Sequence, residues 1–231
     1  MRVAIIPARG NSKRIKDKNI FPVAGKELIY WTISAAQESG CFDKIYVDTD
    51  SHAIKAIAEK YHAEVPFLRE PSLASDNART SDAINAFVQK LEACGGKAVE
   101  EVAILQPTSP LRQSRHIVEA YDLQSKKAAL SVVSMCKLSV PIELSNHLGS
   151  DLCLEGFLNS AETKRSQEYT SRFMPNGAIY LIQRSVLNDW SKLYGSNSFA
   201  YIMDRFASID IDDYDDLRLA QLILNDKGSL V

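Results

Sequence analysis

Thirteen residues near the start of the chain, Pro7-Ala8-Arg9-Gly10-Asn11-Ser12-Lys13-Arg14-Ile15-Lys16-Asp17-Lys18-Asn19, bring five basic side chains to a turn of small residues. Such a segment suits phosphate. Backbone N–H groups of Gly10, Asn11 and Ser12 form an anion cradle if the turn follows a strand, and Arg9 and Lys18 add charge. The plainer alternative is a solvated basic loop. Two familiar phosphate motifs are excluded. Gly25-Lys26 has Ile20 where a Walker loop needs glycine and Glu27 where it needs Ser or Thr, and no GxGxxG follows the first apolar run.

Near the other end, Ile209-Asp210-Ile211-Asp212 alternates apolar and acidic residues. With a strand's period of two, both isoleucines face one side and both carboxylates the other. Paired carboxylate oxygens suit Mg²⁺; equally, Asp210, Asp212, Asp213 and Asp215 favour the N-terminus of a following helix. Between these ends, Gln106 is followed by Pro107 and Pro110, which stiffen a loop while the amide offers both donor and acceptor. A plain proline-rich connection has the same composition. Asn176 and Tyr180 bring an amide and a phenol to one strand, where they either read a polar ligand or pack in the core.

These groups need a scaffold, and the hydrophobic pattern supplies one. Val3–Ile6 reads as a buried strand, Glu27–Ser39 as a helix closed by Gly40, and Lys44–Asp48 as a second strand followed by a helix with Ile54, Ile57, Ala58 and Tyr61 on one face. Thr80-Ser81-Asp82 reads as the cap of a third helix, Val102–Leu105 as the central strand, Ser114 as the cap of a fourth helix, and Ala129–Val133 as another strand. Strands are also expected at Ala178–Ile182 and Ser208–Ile211, with a closing helix through Leu217, Ala220 and Leu224. The alternation implies an α/β fold, a Rossmann-like, mainly parallel sheet flanked by helices. From 135 to 174 the periodicity weakens, and that stretch reads as a lid or dimerisation arm on a single domain spanning 1–231.

Composition narrows the class. Lys plus Arg number 27 against 29 Asp plus Glu, giving a net charge of −2 and no general reason to bind nucleic acid or an acidic membrane. Cys41, Cys94, Cys136 and Cys153 are too scattered for a zinc site and fit free thiols in a reducing cytoplasm. No apolar run approaches a membrane span. The histidines His52, His62, His116 and His147 join none of the motifs and read as surface residues.

Taken in order, several blocks resemble one family. Ile6-Pro7-Ala8-Arg9-Gly10-Asn11-Ser12-Lys13 with Lys18-Asn19 is similar to the signature of the acylneuraminate cytidylyltransferases, the CMP-sialic acid synthetases. Phe42–Ile45 with Asp48-Thr49-Asp50, Ala74-Ser75-Asp76, Gln106–Arg112, Pro175–Tyr180 and Ser208–Asp212 continue the resemblance along nearly the whole chain. It implies a nucleotide-diphospho-sugar transferase fold, CTP and an acidic nine-carbon sugar as partners, Mg²⁺ as cofactor and a homodimer. Residue by residue it implies nucleotide binding by Ala8, Arg9, Gly10, Asn11, Ser12, Lys18, Asn19, Arg69, Ala78, Thr80 and Gln106. The sugar falls to Gln106, Arg165, Asn176 and Tyr180, metal to Asp210 and Asp212, and catalysis to Arg9, Lys18 and Asp212.

Within that resemblance Arg165 and Gln167 match an Arg-x-Gln element. Arginine's planar fork suits a sugar carboxylate, with Arg172 as the substitute. The chain departs from the pattern at Val140-Pro141-Ile142-Glu143, which lacks the family's frequent histidine and basic residue. Glu143 there would hydrogen-bond an amine or amide on a modified sugar of the legionaminic type. Pseudaminic or 3-deoxy-manno-octulosonic acid as acceptor, and a silent nucleotide-binding relative, are the alternative readings.

Overall fold

The computed structural model describes residues 1–75, 77–95, 97–158, 165 and 168–226. In chain order, β1 is Arg2–Pro7, a small hairpin pairs β2 (Pro22–Val23) with β3 (Lys26–Glu27), and α1 is Leu28–Ser39. Then come β4 (Lys44–Asp48), α2 (His52–Lys60), α3 (Thr80–Ala93), β5 (Glu101–Ile104), α4 (Ser114–Lys127) and β6 (Ser131–Lys137). The chain closes with β7 (Phe173–Gln183), the short α5 (Arg184–Leu187), β8 (Ser198–Met203) and α6 (Tyr214–Asn225).

Six strands form one sheet in the order β4-β1-β5-β7-β6-β8. Val3, Ala4, Ile5 and Ile6 are all fully buried, as a strand covered on both faces requires. Ala4 and Ile6 pack toward Ile29, Ile33, Ile117 and Tyr121, while Val3 and Ile5 join Ile84, Phe87, Val88 and Leu91 on the opposite face. A third cluster seats α6, through Leu217, Ala220 and Leu224, against Ile15, Leu28 and Ile211.

The expected mainly parallel sheet is present, with one reversal that alternation of strands and helices could not reveal. β7 runs antiparallel to both β5 and β6, while β1 pairs in parallel with β4 and β5, and β6 with β8. Because Ile104 lies opposite Tyr180 and Glu101 opposite Gln183, the start of β7 reaches the same edge as the carboxyl ends of β1, β4 and β5. That edge is where open α/β sheets hold ligands.

Four local expectations are corrected. Ser208–Ile211 joins no strand, Ser208 closing a turn instead; the sheet's last strand is β8, whose half-exposed edge position blurs its alternation. The 135–174 excursion begins and ends inside the sheet, since Cys136 pairs with Met174 and Lys137 with Phe173. Thr80 and Ser114 are first helical residues rather than caps: the cap positions belong to Arg79 and Gln113, and Gln113 forms a capping box with His116. His116 is therefore no surface residue. It is 3% exposed, and its Nδ1 accepts the Gln113 N–H at 3.0 Å. His52, His62 and His147 are exposed.

Burial, reinforced by Arg115, pushes His116 below its ordinary pKa of 6.5. Between that lowered value and 6.5 the unfolded chain binds the extra proton, so the neutral imidazole's contribution is complete above 6.5 and is lost as pH falls. Urea denaturation between pH 8 and 5 should show stability declining on the acid side, and His116→Gln should flatten that decline relative to the parent.

Candidate active site

The loop after β1 is tied down before it can bind anything. The Ala8 N–H donates to the Asp48 carbonyl at 2.9 Å and its methyl is buried, while the Gly10 N–H donates to Asp50 Oδ1 at 2.8 Å. A Cβ on Gly10 would lie 2.9 Å from the Ser51 Cβ, so only glycine allows the loop this close to the end of β4. Ala8 and Gly10 thus anchor the cradle, and their N–H groups do not face a ligand. Asn11 is exposed. Asn19, 5% exposed, donates to the Arg9 carbonyl at 2.9 Å and closes the loop on itself.

What the loop offers is side chains. A cleft of about 480 Å³ is lined by Arg9, Ser12, Lys13, Arg14, Lys18 and Asn19 from this loop, by Arg69, Ala78, Arg79 and Thr80, by Gln106 and Thr108, and by Asp212. Thr80 opens α3, so the positive end of a 14-residue helix joins these cations. Asp76 lies outside the described residues. Arg69 is held by a buried pair with Asp48, Nη2 to Oδ2 at 2.7 Å, with Nε donating to the same oxygen at 3.0 Å. Burial raises the Asp48 carboxyl while Arg69 draws it down.

Opposite the loop stands the acidic segment. Ile211 is fully buried, its N–H donates to the Thr108 carbonyl at 2.8 Å, and its own carbonyl accepts from Lys18 Nζ at 2.7 Å. The apolar-acidic alternation therefore operates without a strand: Ile209 and Ile211 pack inward, and Asp210 and Asp212 project outward. Enclosure raises the Asp210 carboxyl and Asp212 adds to this, against a Thr108 hydrogen bond and the Lys18 charge. Burial lowers Lys18, with Arg14 and Arg9 adding, while Asp212 and Asp210 oppose.

The neighbouring acids divide by role. Asp213 caps α6, accepting from the N–H groups of Asp215 and Asp216, and Asp216 accepts from those of Asp212 and Asp213. Asp212 instead meets Arg14 at 2.9 Å, both side chains more than half exposed, so the pair is weak and displaceable. Among the described residues no cluster of three or more His, Cys, Asp or Glu is arranged for a metal. Two carboxylates beside a phosphate cradle nonetheless fit Mg²⁺, which takes one or two protein carboxylates and completes its shell with substrate oxygens and water.

A second pocket, about 750 Å³, adjoins the first and is lined by Lys137, Ser139, Asn176, Gly177, Tyr180, Arg205, Ser208 and Asp210 among others; Gln106 belongs to both. Tyr180 is pushed up to about 12 by burial, with Tyr194 and Asp210 adding, and keeps its proton to donate. Asn176 lines the pocket, but its amide serves the fold: Nδ2 donates to Ser208 Oγ at 2.9 Å, and Oδ1 accepts from Ser134 Oγ at 2.6 Å and from the Ala178 N–H at 3.1 Å. Arg165 is exposed and lines neither pocket. Gln167 lies outside the described residues. Arg172 is engaged by Glu143, Nε to Oε1 at 2.9 Å, which also occupies the carboxylate expected to face a sugar.

Gln106 is set by a residue with no role in the sequence reading. Arg112, 2% exposed, donates to the carbonyls of Gln106 at 3.0 Å and Ala178 at 2.8 Å, and to Thr32 Oγ1. Arg14, Arg79, Lys137 and Arg205 also line the pockets without an individual role assigned from the sequence. Arg79 stands between two flagged residues and Arg112 ends a flagged block, but no pattern in the sequence points to Lys137 or Arg205.

Gly177 has φ +76, and a Cβ there would lie 2.9 Å from Gln106 Oε1. Gly177→Ala should therefore cost more than about 1 kcal/mol in urea denaturation, and by displacing Gln106 it should lower turnover more than nucleotide affinity; unchanged turnover would dissociate Gln106 from the chemistry.

Comparison with known proteins places the chain in a family. A family model described as cytidylyltransferase matches residues 3–148. An N-acylneuraminate cytidylyltransferase of Escherichia coli O18:K1:H7 (strain RS218 / NMEC) is 36% identical over 98% of this chain and 52% of its own length. The chain thus spans about half the length of curated relatives of that kind. The CMP-N,N'-diacetyllegionaminic acid synthase of Legionella pneumophila subsp. pneumophila (strain Philadelphia 1) is 34% identical, with 97% of each chain covered. A solved CMP:2-keto-3-deoxy-manno-octonic acid synthetase complexed with CTP shares the fold, with a TM-score of 0.73 at 16% identity over 98% of this chain and 99% of that one. From its first strand through its second pocket, the chain belongs to the cytidylyltransferase family.

Proposed function

We propose that the chain transfers the cytidylyl group of CTP to the anomeric hydroxyl of a nine-carbon 2-keto-3-deoxy sugar acid, of the sialic or legionaminic type, and releases pyrophosphate. The observation that carries this reading is the junction of two pockets at Gln106, with the cations and Asp212 lining one and Asp210 and Tyr180 the other. A nucleotide triphosphate and a polar acceptor bound on the two sides meet where the paired aspartates stand.

The reaction asks for positioning and charge neutralisation. The anomeric oxygen forms a bond to the α-phosphorus as the α–β phosphoanhydride bond breaks, and the hydroxyl proton passes to a carboxylate of the Asp210–Asp212 pair. Arg9 and Lys18 draw charge from the phosphates, and Lys18 is fixed for this by its bond to the Ile211 carbonyl. Gln106, which lines both pockets, offers its amide at their junction. Mg²⁺ on Asp210 and Asp212 would neutralise charge on the triphosphate and ease loss of the hydroxyl proton.

We further propose that the chain works as a homodimer of single-domain subunits in the cytoplasm. Val140, Ile142, Leu148, Leu152 and Leu154 stand at least half exposed on the segment between β6 and β7, an apolar surface suited to a second copy. All four cysteines are free thiols, as in a reducing compartment, and among the described residues no helix is long and apolar enough to cross a membrane.

The test is pyrophosphate release from CTP and Mg²⁺ with N-acetylneuraminic, legionaminic, pseudaminic or 3-deoxy-manno-octulosonic acid. Release with a sialic or legionaminic acid is expected. Asp212→Asn and Lys18→Met should each reduce kcat by about a hundredfold or more, with thermal midpoints near the parent's, and chelation of Mg²⁺ should abolish turnover. Release only with one of the other two acids would move the substrate, and CTP binding without turnover on any acid would favour a silent relative.

A further inference from the structure

We infer that Arg205, assisted by Lys137, holds the carboxylate of the acceptor in the second pocket; the inference rests on the transfer reaction proposed above and names the group that selects its substrate. β6 and β8 are parallel neighbours, with Cys136 opposite Met203. Lys137 ends β6 and Arg205 follows β8 by two residues, so both basic side chains emerge at the same edge and line the same cavity. Among the described residues Asp210 is the pocket's one acidic side chain, and the two cations exceed it by one positive charge. An anionic acceptor balances that excess and a neutral sugar does not.

The alternatives for this role are engaged or elsewhere. Arg172 is paired with Glu143, and Arg165 stands exposed outside the cavity. Asp204, beside Arg205, lines neither pocket, and its Oδ1 accepts the Ala207 N–H of its own turn at 2.8 Å. Ser208 Oγ donates to the Asp204 carbonyl at 2.6 Å and accepts from Asn176 at 2.9 Å. Those bonds fasten the turn carrying Arg205 to the start of β7 before any ligand arrives, which limits the entropy lost on binding. Chemistry completes the argument. In a 2-keto acid sugar the carboxylate and the attacking anomeric hydroxyl are bonded to the same carbon, so a guanidinium fork on the carboxylate also orients the reacting oxygen toward Asp210.

Steady-state pyrophosphate release with N-acetylneuraminic and legionaminic acids, each compared with its C1 carboxamide, tests this. Arg205→Gln should raise KM for the acid about tenfold or more, as loss of a charge-assisted hydrogen bond implies, leave KM for CTP within about twofold, and erase the parent's preference for acid over amide. Arg205→Lys should recover part of that preference, Lys137→Gln should have a smaller effect of the same kind, and thermal midpoints should stay at the parent's value. An unchanged acid-to-amide preference in Arg205→Gln overturns the inference and leaves the transfer reaction standing, as does loss of that preference in Arg165→Gln alone. A parent protein that turns over none of the acids overturns both.

Discussion

The buried guanidinium of Arg112 is the constraint on which the two-pocket arrangement depends. It is almost wholly enclosed, and the acceptors it reaches are the Gln106 and Ala178 carbonyls and the Thr32 hydroxyl, with Nε left unpartnered among the described residues. Burial pulls its pKa down to about 9, so it remains a cation at neutral pH with no carboxylate beside it. Enclosing a charge on such terms costs several kcal/mol. The outlay is set against geometry: one rigid fork joins the loop after β5, the middle of β7 and α1. Gln106 can face both pockets because its backbone is gripped from below and its side chain is confined by Gly177 from the side.

The reversal of β7 follows the same logic. A parallel β7 would bring Gln183, not Asn176, to the ligand edge. Running antiparallel, it delivers Asn176, Gly177 and Tyr180 to the wall of the second pocket directly after the excursion from β6. Asn176 then works as a fastener, gathering Ser134, Ser208 and the Ala178 N–H, so that the turn after β8 and the bend into β7 move as one piece. Rigidity in this wall comes from neutral hydrogen bonds, which leaves Lys137 and Arg205 as its basic side chains.

Much of this was legible in the sequence. Core strands and helices announce themselves because burial imposes a period, and α1, β4 and the apolar face of α6 stand where that period places them. The acidic pair was legible for the same reason: Ile209 and Ile211 are pulled inward whether or not their neighbours form a ladder. What could not be read depends on contacts distant in sequence. Strand direction is one case, since β7 carries the same apolar residues either way. Asn176 is another, because an amide that reads a ligand and one that braces a fold are the same residue type. His116 looked peripheral for lack of a motif, though a capping box makes it structural.

The anion cradle shows where residue type misleads most. Small residues in a basic loop invite the view that their N–H groups hold phosphate, yet Ala8 and Gly10 direct theirs to Asp48 and Asp50. Those acids secure the loop to the end of β4, and Asp48 secures Arg69 as well. The Asp48 carboxylate at the end of β4 thus positions Arg69 on one side of the cleft, while Arg14 and Lys18 meet Asp212 at its far side. Lys18 links the two ends: drawn toward the acidic segment by Asp212 and Asp210, it is held by the Ile211 carbonyl, a neutral acceptor that fixes the ammonium without discharging it. A cradle built this way faces the acidic segment across the cleft, where Arg14 and Lys18 meet Asp212.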